Sequence, residues 1–168
     1  MKSKASLPTQ NSVLAIDPGF DRAGIAVLIK ENSKEKVLYS DCIVTNRKHT
    51  QEIRLLQIGE EVAKAIKAYK PSHLALEKLF FSQNVTTGIR VAEARGVILY
   101  EAGRAGLSVF EYTPQEIKAA VTGYGKASKG DMERMVGKLV TLDHTPQHDD
   151  EIDAIAVGIT HLATHKGI

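Results

Sequence analysis

Acidic residues follow two apolar runs of this chain, at the point where each run ends. Asp17 comes directly after residues 13–16, and Glu77 comes directly after residues 74–76. A carboxylate at the end of a buried strand is uncommon, because a charged group there has to be paired or hydrated. The two positions therefore indicate chemistry rather than packing.

A second pair of acids opens an amphipathic stretch near the C-terminus. Asp150 and Asp153 are three residues apart, so a helix would carry both on one face. If the strands that end at Asp17 and Glu77 are neighbours in a sheet, that edge would face the start of this helix. Four carboxylates around one cleft would repel one another strongly unless cations neutralised them.

An all-oxygen ligand set of this kind suits hard divalent cations. We expect two Mg²⁺ ions about 3.5–4 Å apart, one activating a water and the other stabilising the leaving 3′-oxygen of a phosphodiester. Mn²⁺ is an acceptable substitute for such ligands. Cys42 is the only cysteine in the sequence, so no cysteine cluster competes for zinc.

Each acid also has an ordinary structural explanation. Asp17 before Pro18 could start a turn, and Glu77 before Lys78 could form a surface ion pair of little value. The acids at the start of the last stretch could complement a helix dipole. These explanations each account for one position, whereas a single metal site accounts for all four acids.

The length and composition limit the class of protein. A chain of 168 residues with 43% hydrophobic residues suits one globular domain with a real core, which we place at residues 13–168. Residues 1–12 are polar and are predicted to be a flexible extension without the apolar region of a signal peptide. No apolar run approaches the roughly 20 residues of a membrane span. The single cysteine favours the reducing cytoplasm, and the net charge of +2 is too small to identify a partner.

Hydrophobic periodicity and turn signals predict five strands and five helices. The predicted strands are Val13–Asp17, Gly24–Ile29, Lys36–Val44, His73–Glu77 and Leu107–Tyr112. The predicted helices are Thr50–Lys70, Asn84–Ala105, Gln115–Val121, Asp131–Leu142 and Asp149–His165. Strands come mostly early and then alternate with helices, which predicts an α/β domain with a mixed sheet.

The second predicted helix contains three glycines, which could allow close packing. Gly88, Gly96 and Gly103 lie within it, although glycine lowers helix stability. The pattern predicts that another backbone packs closely against this helix.

The most loop-like internal segment is residues 122–130. It contains Lys126 and Lys129, and a basic run continues with Arg134 and Lys138. Glycines in the loop would let the backbone approach phosphates, which favours nucleic-acid contact. The alternative is a solvated helix face.

Several motifs together resemble the RuvC Holliday-junction resolvases, a family of ribonuclease-H-like nucleases. The resemblance covers residue 13 to about residue 165. Its motifs are Ala15-Ile16-Asp17-Pro18-Gly19, Ala75-Leu76-Glu77 followed by Phe80, Ala94-Arg95-Gly96, Val109-Phe110-Glu111-Tyr112, Val121-Thr122-Gly123-Tyr124-Gly125, Asp150-x-x-Asp153-Ala154-Ile155-Ala156 and Ile159-Thr160-His161.

The resemblance implies a ribonuclease-H-like fold, a five-stranded mixed sheet flanked by helices, and a homodimer. It implies that Asp17, Glu77, Asp150 and Asp153 are the catalytic, metal-binding acids. Asp149 precedes Asp150, and the three-residue spacing to Asp153 selects Asp150 as the ligand.

The resemblance also implies residues that contact DNA. Phe80 is expected beside the junction centre, where an aromatic ring could stack on an unpaired base. Lys118 and Lys129 are expected to contact phosphates near the cut site, and Lys126 is assigned to the same DNA-binding surface. A branch-migration motor is an expected partner of the family.

The leading hypothesis is a structure-selective endonuclease that resolves four-way DNA junctions in recombination and repair. Symmetric cuts on two strands would require one active site per subunit of a dimer. Two alternatives stay open at this point: a ribonuclease-H-like nuclease acting on structured RNA, and a junction-binding protein without catalysis.

Overall fold

A computed structural model describes residues 12–79 and 85–165. Its strands are β1 (Ser12–Asp17), β2 (Arg22–Glu31), β3 (Lys34–Val44), β4 (His73–Glu77) and β5 (Ser108–Tyr112). Its helices are α1 (Gln51–Tyr69), α2 (Val85–Arg104), α3 (Pro114–Thr122), α4 (Lys129–Leu139) and α5 (Asp149–Thr164). None of these helices combines the length and apolar character needed to cross a bilayer, within the part of the chain described.

The strands form one mixed sheet in the order β3-β2-β1-β4-β5. β1, β2 and β3 pair antiparallel, as consecutive hairpins do, whereas β4 and β5 run parallel to β1. The parallel strands follow crossovers through α1 and α2, because parallel neighbours need a connection long enough to return. The predicted five-stranded mixed sheet flanked by helices is confirmed.

Alternation along β1 divides the core into two layers. Leu14 and Ile16 pack on the face covered by α1 and α2, whereas Val13 and Ala15 face α5. All four side chains are fully buried. The central strand is therefore covered on both faces, which fixes the register that places Asp17 at its end.

Small residues let α5 lie close to the sheet. A Cβ on Gly158 would overlap the Leu28 side chain and would lie 3.2 Å from the Ala15 Cβ. The helix therefore lies directly on β1 and β2. Its N-terminus is held firmly over the end of β1 that carries Asp17.

The expected close packing at α2 glycines was wrong for Gly96 and Gly103. A Cβ at either position would meet nothing within 4 Å. The close approach occurs on the partner helix, where a Cβ on Gly59 would lie 2.9 Å from the Val97 Cγ1. The glycine that allows close packing between these two helices is therefore on α1 rather than on α2.

Helix α4 begins two residues earlier than predicted, and the loop before it is correspondingly shorter. The Ser128 hydroxyl accepts from the Asp131 backbone N–H, while the Asp131 carboxylate accepts from the Ser128 N–H. This capping box starts the helix at Lys129. The helix also ends early, at Leu139, because Val140 is extended.

The predicted flexible extension differs at its boundary. Ser12 was assigned to the extension but is the first residue of β1, where it is buried and pairs with Ile29. The remainder of the extension lies outside the described residues.

Candidate active site

Asp17 and Glu77 end neighbouring strands. β1 and β4 are parallel, and Ile16 is opposite Leu76, so the two acids emerge side by side at one edge of the sheet. The sequence-based condition that these strands be neighbours is therefore met. Burial raises the pKa of the Asp17 carboxyl to about 8, and the nearby charge of Glu77 adds to the shift.

Gly24 brings the start of α5 to the same edge. It is opposite Asp17 across the β1–β2 pair. A Cβ at this position would overlap the Asp150 backbone oxygen and would lie 3.1 Å from the Ala154 Cβ. The absence of a side chain on β2 is what allows the first turn of α5 to contact the sheet beside Asp17.

Asp153 and Glu77 face one another across this edge. Burial raises the pKa of the Glu77 carboxyl, and the charge of Asp153 raises it further, whereas Lys118 opposes the shift. Burial likewise raises the pKa of Asp153, with Lys129 opposing and the neighbouring acids Asp149 and Asp150 adding to it. The protein thus leaves negative charge here only partly compensated.

Asp150 has a buried oxygen without a hydrogen bond. Its Oδ2 accepts none, although Arg22 Nε lies 3.0 Å away as an ion-pair partner. Buried acceptors almost always have a hydrogen-bonding partner. The Asp150 Oδ2 therefore has a cationic partner in Arg22 but no hydrogen bond, and it lies beside the other acids of the cluster.

Asp149 behaves differently from the other acids. It forms an ion pair with Lys129, and its Oδ1 lies 3.7 Å from Arg22 Nη2. The hydrogen bond from Lys129 lowers the pKa of Asp149 to about 2. Its charge is therefore balanced by side chains of the protein itself.

Clefts open on both sides of the acids. One of about 310 Å³ is lined by Glu77 and Asp153 together with Lys118 and Lys129. An adjoining cleft of about 180 Å³ contains Asp17 and shares Glu77 with the first. Asp17, Glu77 and Asp153 therefore line two open clefts, and Lys118 and Lys129 line the larger one.

A third cleft, of about 250 Å³, lies between the start of β2 and the first turns of α2. Asp150, Arg22, Arg90 and Phe20 are among the residues that line it. The Arg90 guanidinium lies 5.6 Å from the centre of the Phe20 ring, within cation–π range. Cations therefore flank the acids on two sides.

The four acids suit a hard cation by donor type. Within residues 12–79 and 85–165, no three acidic, histidine or cysteine side chains converge closely enough to hold one ion as they stand. The Asp150 Oδ2 instead contacts Arg22 Nε at 3.0 Å. The all-oxygen donors, the raised pKa values and the unsatisfied Asp150 oxygen fit divalent cations of the Mg²⁺ type.

Comparison with known families identifies the chain. The profile of the family described as "Crossover junction endodeoxyribonuclease RuvC" matches residues 13–161.

The chain belongs to this RuvC family.

Relatives of nearly the same length share much of the sequence. The RuvC of Pseudothermotoga lettingae is 44% identical over 155 residues, covering 92% of this chain and 95% of that protein. The RuvC of Petrotoga mobilis is 43% identical over 149 residues, covering 89% of this chain and 91% of that protein. The resemblance drawn from the motifs is therefore confirmed.

Solved structures agree with the fold. Thermus thermophilus RuvC in complex with a Holliday junction substrate superposes with a TM-score of 0.84 at 29% identity, covering 90% of this chain and 93% of that one. The yeast mitochondrial Holliday junction resolvase Ydc2, at 11% identity and a TM-score of 0.67, shares the fold.

The predicted DNA-contacting residues of this RuvC-family chain fall into three groups. Lys118 and Lys129 line the cleft with the acids, although Lys129 is the first residue of α4 rather than part of a loop. Lys126 is exposed in the segment before α4. Phe80 lies outside the described residues.

Sequence reasoning missed two arginines of the site. Arg22 begins β2, five residues after Asp17, and Arg90 lies in the first turns of α2. The only sequence signal for Arg22 is its position between the acidic strand end and Gly24. The partners of both arginines become visible only once β2, α2 and α5 are assembled.

Proposed function

We propose that this protein resolves four-way DNA junctions by paired symmetric nicks, in homologous recombination and DNA repair. The observation that carries the proposal is the meeting of two strand ends and the start of α5 at one acidic edge, in a chain of the crossover junction endodeoxyribonuclease family. The Thermus relative solved with a Holliday junction substrate supports the choice of substrate.

The proposed metal ligands are Asp17, Glu77, Asp150 and Asp153, which would hold Mg²⁺, two ions per site, with Mn²⁺ as a substitute. Bound divalent cations supply an activated water and stabilise the leaving 3′-oxygen. The chain itself supplies rigid placement: Asp17 and Glu77 are fixed by adjacent strands, and the α5 acids are fixed by the contact at Gly24. Preorganised charge of this kind needs little rearrangement during the reaction.

Lysines on the cleft wall are proposed to contact the phosphate being cut. Lys118 lies near enough to Glu77 to oppose the rise of its pKa, and Lys129 has the same effect on Asp153. A phosphate that reached the acids would therefore meet both cations. Their charge would offset the negative charge that builds on the phosphate in the transition state.

Two further residues belong to the proposed DNA surface. Lys126 is exposed beside this cleft wall, where it would contact a phosphate farther along the strand. Phe80 follows Glu77 by three residues. We assign it to stacking on a base at the junction centre.

A homodimer is part of the proposal, because two symmetric nicks need two active sites related by a two-fold axis. The face formed by α1 and α2 offers a surface for it. Leu56 and Tyr100 are exposed by 59% and 63%. They line a groove of about 510 Å³ between the two helices, and Ile53 and Ile89 are also exposed on α1 and α2. Apolar patches of this kind mark protein interfaces.

The remaining assignments concern the setting of the reaction. Residues 13–168 are proposed to act as one nuclease domain. The substrate is recombining DNA and Cys42 is the only cysteine, which favours the cytoplasm. A branch-migration motor is the proposed partner, because such a motor would deliver junctions to the cleavage site.

The experiment that tests the proposal is a comparison of substrates. A synthetic four-way junction labelled on each strand in turn, a linear duplex of the same sequence and a structured RNA are incubated with Mg²⁺, with Mn²⁺ and with EDTA. We expect paired nicks at matching positions of opposite junction strands, only with the metals. Asp17→Asn should abolish cutting, whereas Asp143→Asn, at an exposed acid outside the cluster, should not.

Other outcomes would replace the proposal. Cleavage of the RNA alone would favour the ribonuclease alternative. Tight junction binding without cleavage in either metal would favour a binding protein. Equal cleavage by the Asp17→Asn variant would remove the acid cluster from the mechanism.

A further inference from the structure

Asp149 joins two cations that lie on opposite sides of the acid cluster. Lys129, at the start of α4, forms an ion pair with the Asp149 Oδ2. Arg22, at the start of β2, approaches the Asp149 Oδ1 to 3.7 Å. The two oxygens of one carboxylate therefore face two cations that come from two different elements.

The two cations reach different walls of the site. Lys129 lines the cleft that holds Glu77 and Asp153. Arg22 lines the cleft that ends at Asp150, and its Nε lies 3.0 Å from the Asp150 Oδ2. Asp149 is the connection between these two walls.

We propose that Asp149 is a positioning residue for cleavage, which holds Lys129 and Arg22 beside the acids and does not itself bind metal. The inference rests on the proposed function, since it assigns a role within the same site. It gives Asp149 a role of its own beside Asp150, which the spacing of the sequence selects as the ligand.

The contacts of each acid support this division. Both Asp149 oxygens face cations of the protein, whereas the Asp150 Oδ2 is buried and accepts no hydrogen bond. A metal at Asp149 would have to displace Lys129 and compete with Arg22. Among the described residues, a metal at Asp150 would compete with Arg22 alone, whose Nε lies 3.0 Å from the Asp150 Oδ2.

Pairing with Asp149 restricts the Lys129 side chain more than it restricts Arg22. The lysine side chain is 57% exposed and has a flexible four-carbon stem, so without a partner its ammonium group would sample many positions. The ion pair itself contributes little to stability at this exposure. Its value lies in placement, because small displacements of a reacting geometry can lower a rate about a hundredfold.

The experiment compares Asp149→Asn, Asp149→Glu and the matched control Asp143→Asn. Mn²⁺ binding is followed by electron paramagnetic resonance, junction binding by fluorescence anisotropy, and single-turnover cleavage at saturating junction by gel. For Asp149→Asn we expect unchanged Mn²⁺ affinity, equal or tighter junction binding, and cleavage slowed about tenfold. Asp149→Glu should recover most of the rate, because it restores a partner for both cations.

A double-mutant cycle with Lys129→Ala tests the route of the effect. If Asp149 acts through Lys129, then Asp149→Asn should add less than about threefold in the Lys129→Ala background, because coupled residues are not additive. A full tenfold loss in that background would overturn the positioning role. Weaker Mn²⁺ binding by Asp149→Asn would overturn it too, and would make Asp149 a ligand.

Stability and a separate ligand variant complete the test. A fall in the melting temperature of Asp149→Asn that accounted for the lost rate would reduce Asp149 to a structural residue and overturn the inference. Asp150→Asn tests the proposed function instead, and should lose Mn²⁺ binding together with cleavage. If Asp150→Asn kept both, the proposed metal site would fail whatever the Asp149 variants did.

Discussion

The two ends of α5 both carry titratable clusters, and they differ in how those groups are satisfied. At the N-terminal end, Asp150 and Asp153 meet Asp17 and Glu77, whose carboxyl pKa values are raised, as is that of Asp153. At the C-terminal end, His161 is fully buried, and burial lowers its pKa to about 4. Burial therefore disfavours the charged form at both ends, the carboxylate at one and the imidazolium at the other.

Hydrogen bonds satisfy the histidine end within the chain. His161 Nε2 lies 2.8 Å from His73 Nδ1, and His161 Nδ1 lies 2.8 Å from the Tyr112 hydroxyl oxygen. The His165 ring stacks on His161 with centroids 4.8 Å apart, and Phe110 contacts both rings. A neutral imidazole donates at one nitrogen and accepts at the other, so these two polar contacts suffice.

The comparison teaches how a site differs from a core cluster made of equally polar residues. The acid end opens into clefts, and the carboxyl pKa values of Asp17, Glu77 and Asp153 are raised there, so the folded chain alone does not stabilise their charged forms. At the histidine end, both ring nitrogens of the buried His161 have a polar partner in the chain. Perturbed pKa values occur at both ends, so the perturbation alone does not identify function.

The largest expected effect comes from Asp17→Asn. Losing a carboxylate that is proposed to bind metal should remove several kcal/mol of transition-state stabilisation, so cleavage should fall about a thousandfold or more. Junction binding should persist, because the assigned role of Asp17 is metal ligation. Cleavage and binding assays on the same preparation check this. Cleavage at the wild-type rate would show that the acid end of α5 is not the catalytic site.

The same substitution should stabilise the protein when metal is absent. The pKa of Asp17 is raised from 3.8 to about 8, so the folded state binds more protons than the unfolded state in that interval. The contribution of Asp17 to stability is therefore fully present below pH 3.8 and is lost as the pH rises through 8. Asp17→Asn should raise the melting temperature in EDTA, more at pH 9 than at pH 5. An unchanged melting temperature at both pH values would contradict the charge cost at this end.

The sequence predicted the acid edge because each of its parts carries a local signal. Asp17 and Glu77 end apolar runs, and Asp150 and Asp153 begin an amphipathic one, so strand pairing was the only missing fact. Helix and strand types followed from periodicity, since the core faces of β1 and α5 are strongly apolar. The motif resemblance then pointed to four-way junctions as the substrate, which spacing alone left open.

What the sequence did not predict depends on contacts between distant segments. His73 and His161 are 88 residues apart, and nothing in either local pattern indicates that they meet. The pairing of Asp149 with Lys129 likewise requires α4 and α5 to be in place. The start of α4 was missed for a local reason, because the capping box uses Asp131 rather than the commoner glutamate or glutamine.

The next largest effect should come from His161→Ala, on stability rather than on chemistry. The substitution leaves a cavity and removes a partner from the Tyr112 hydroxyl and from His73, so we expect a loss of about 2–4 kcal/mol of unfolding free energy. Denaturant unfolding measures it. Cleavage per folded molecule should stay within about twofold, because the effect lies outside the reacting groups. A loss of cleavage without a loss of stability would give the histidine end a catalytic role.

A smaller effect should appear as pH dependence. The pKa of His161 is about 4 in the folded protein against 6.5 ordinarily, so the unfolded state binds more protons between these values. Stability should therefore fall as the pH drops from 6.5 towards 4, by up to roughly 3 kcal/mol from this group. The raised pKa values of the acid end act in the opposite direction in this range. The measurement is therefore the difference between wild type and His161→Gln, and equal pH slopes would contradict the assignment.

The smallest effect is expected from Tyr112→Phe. This change keeps the ring and removes only the hydroxyl, whose oxygen lies 2.8 Å from His161 Nδ1 and accepts a hydrogen bond from the Thr164 hydroxyl at 3.3 Å. It should cost about 1–2 kcal/mol of stability, the usual net value of one or two hydrogen bonds. Tyr124→Phe, at an exposed tyrosine outside the proposed dimer surface, is the matched control and should change stability by less than about 0.5 kcal/mol.

Cleavage by Tyr112→Phe provides the sharper test of independence between the two ends of α5. The Tyr112 backbone carbonyl accepts a hydrogen bond from the Lys78 N–H at 2.8 Å, directly beside Glu77. The backbone of Tyr112 therefore contacts the acid end of α5, whereas the Tyr112 side chain contacts the histidine end. Phenylalanine preserves that backbone contact, and cleavage should therefore match wild type at temperatures where both proteins are folded. A slower cut by folded Tyr112→Phe would show that the hydroxyl–histidine contacts reach Glu77 through β4 and β5. The two ends of α5 would then have to be treated as one coupled unit.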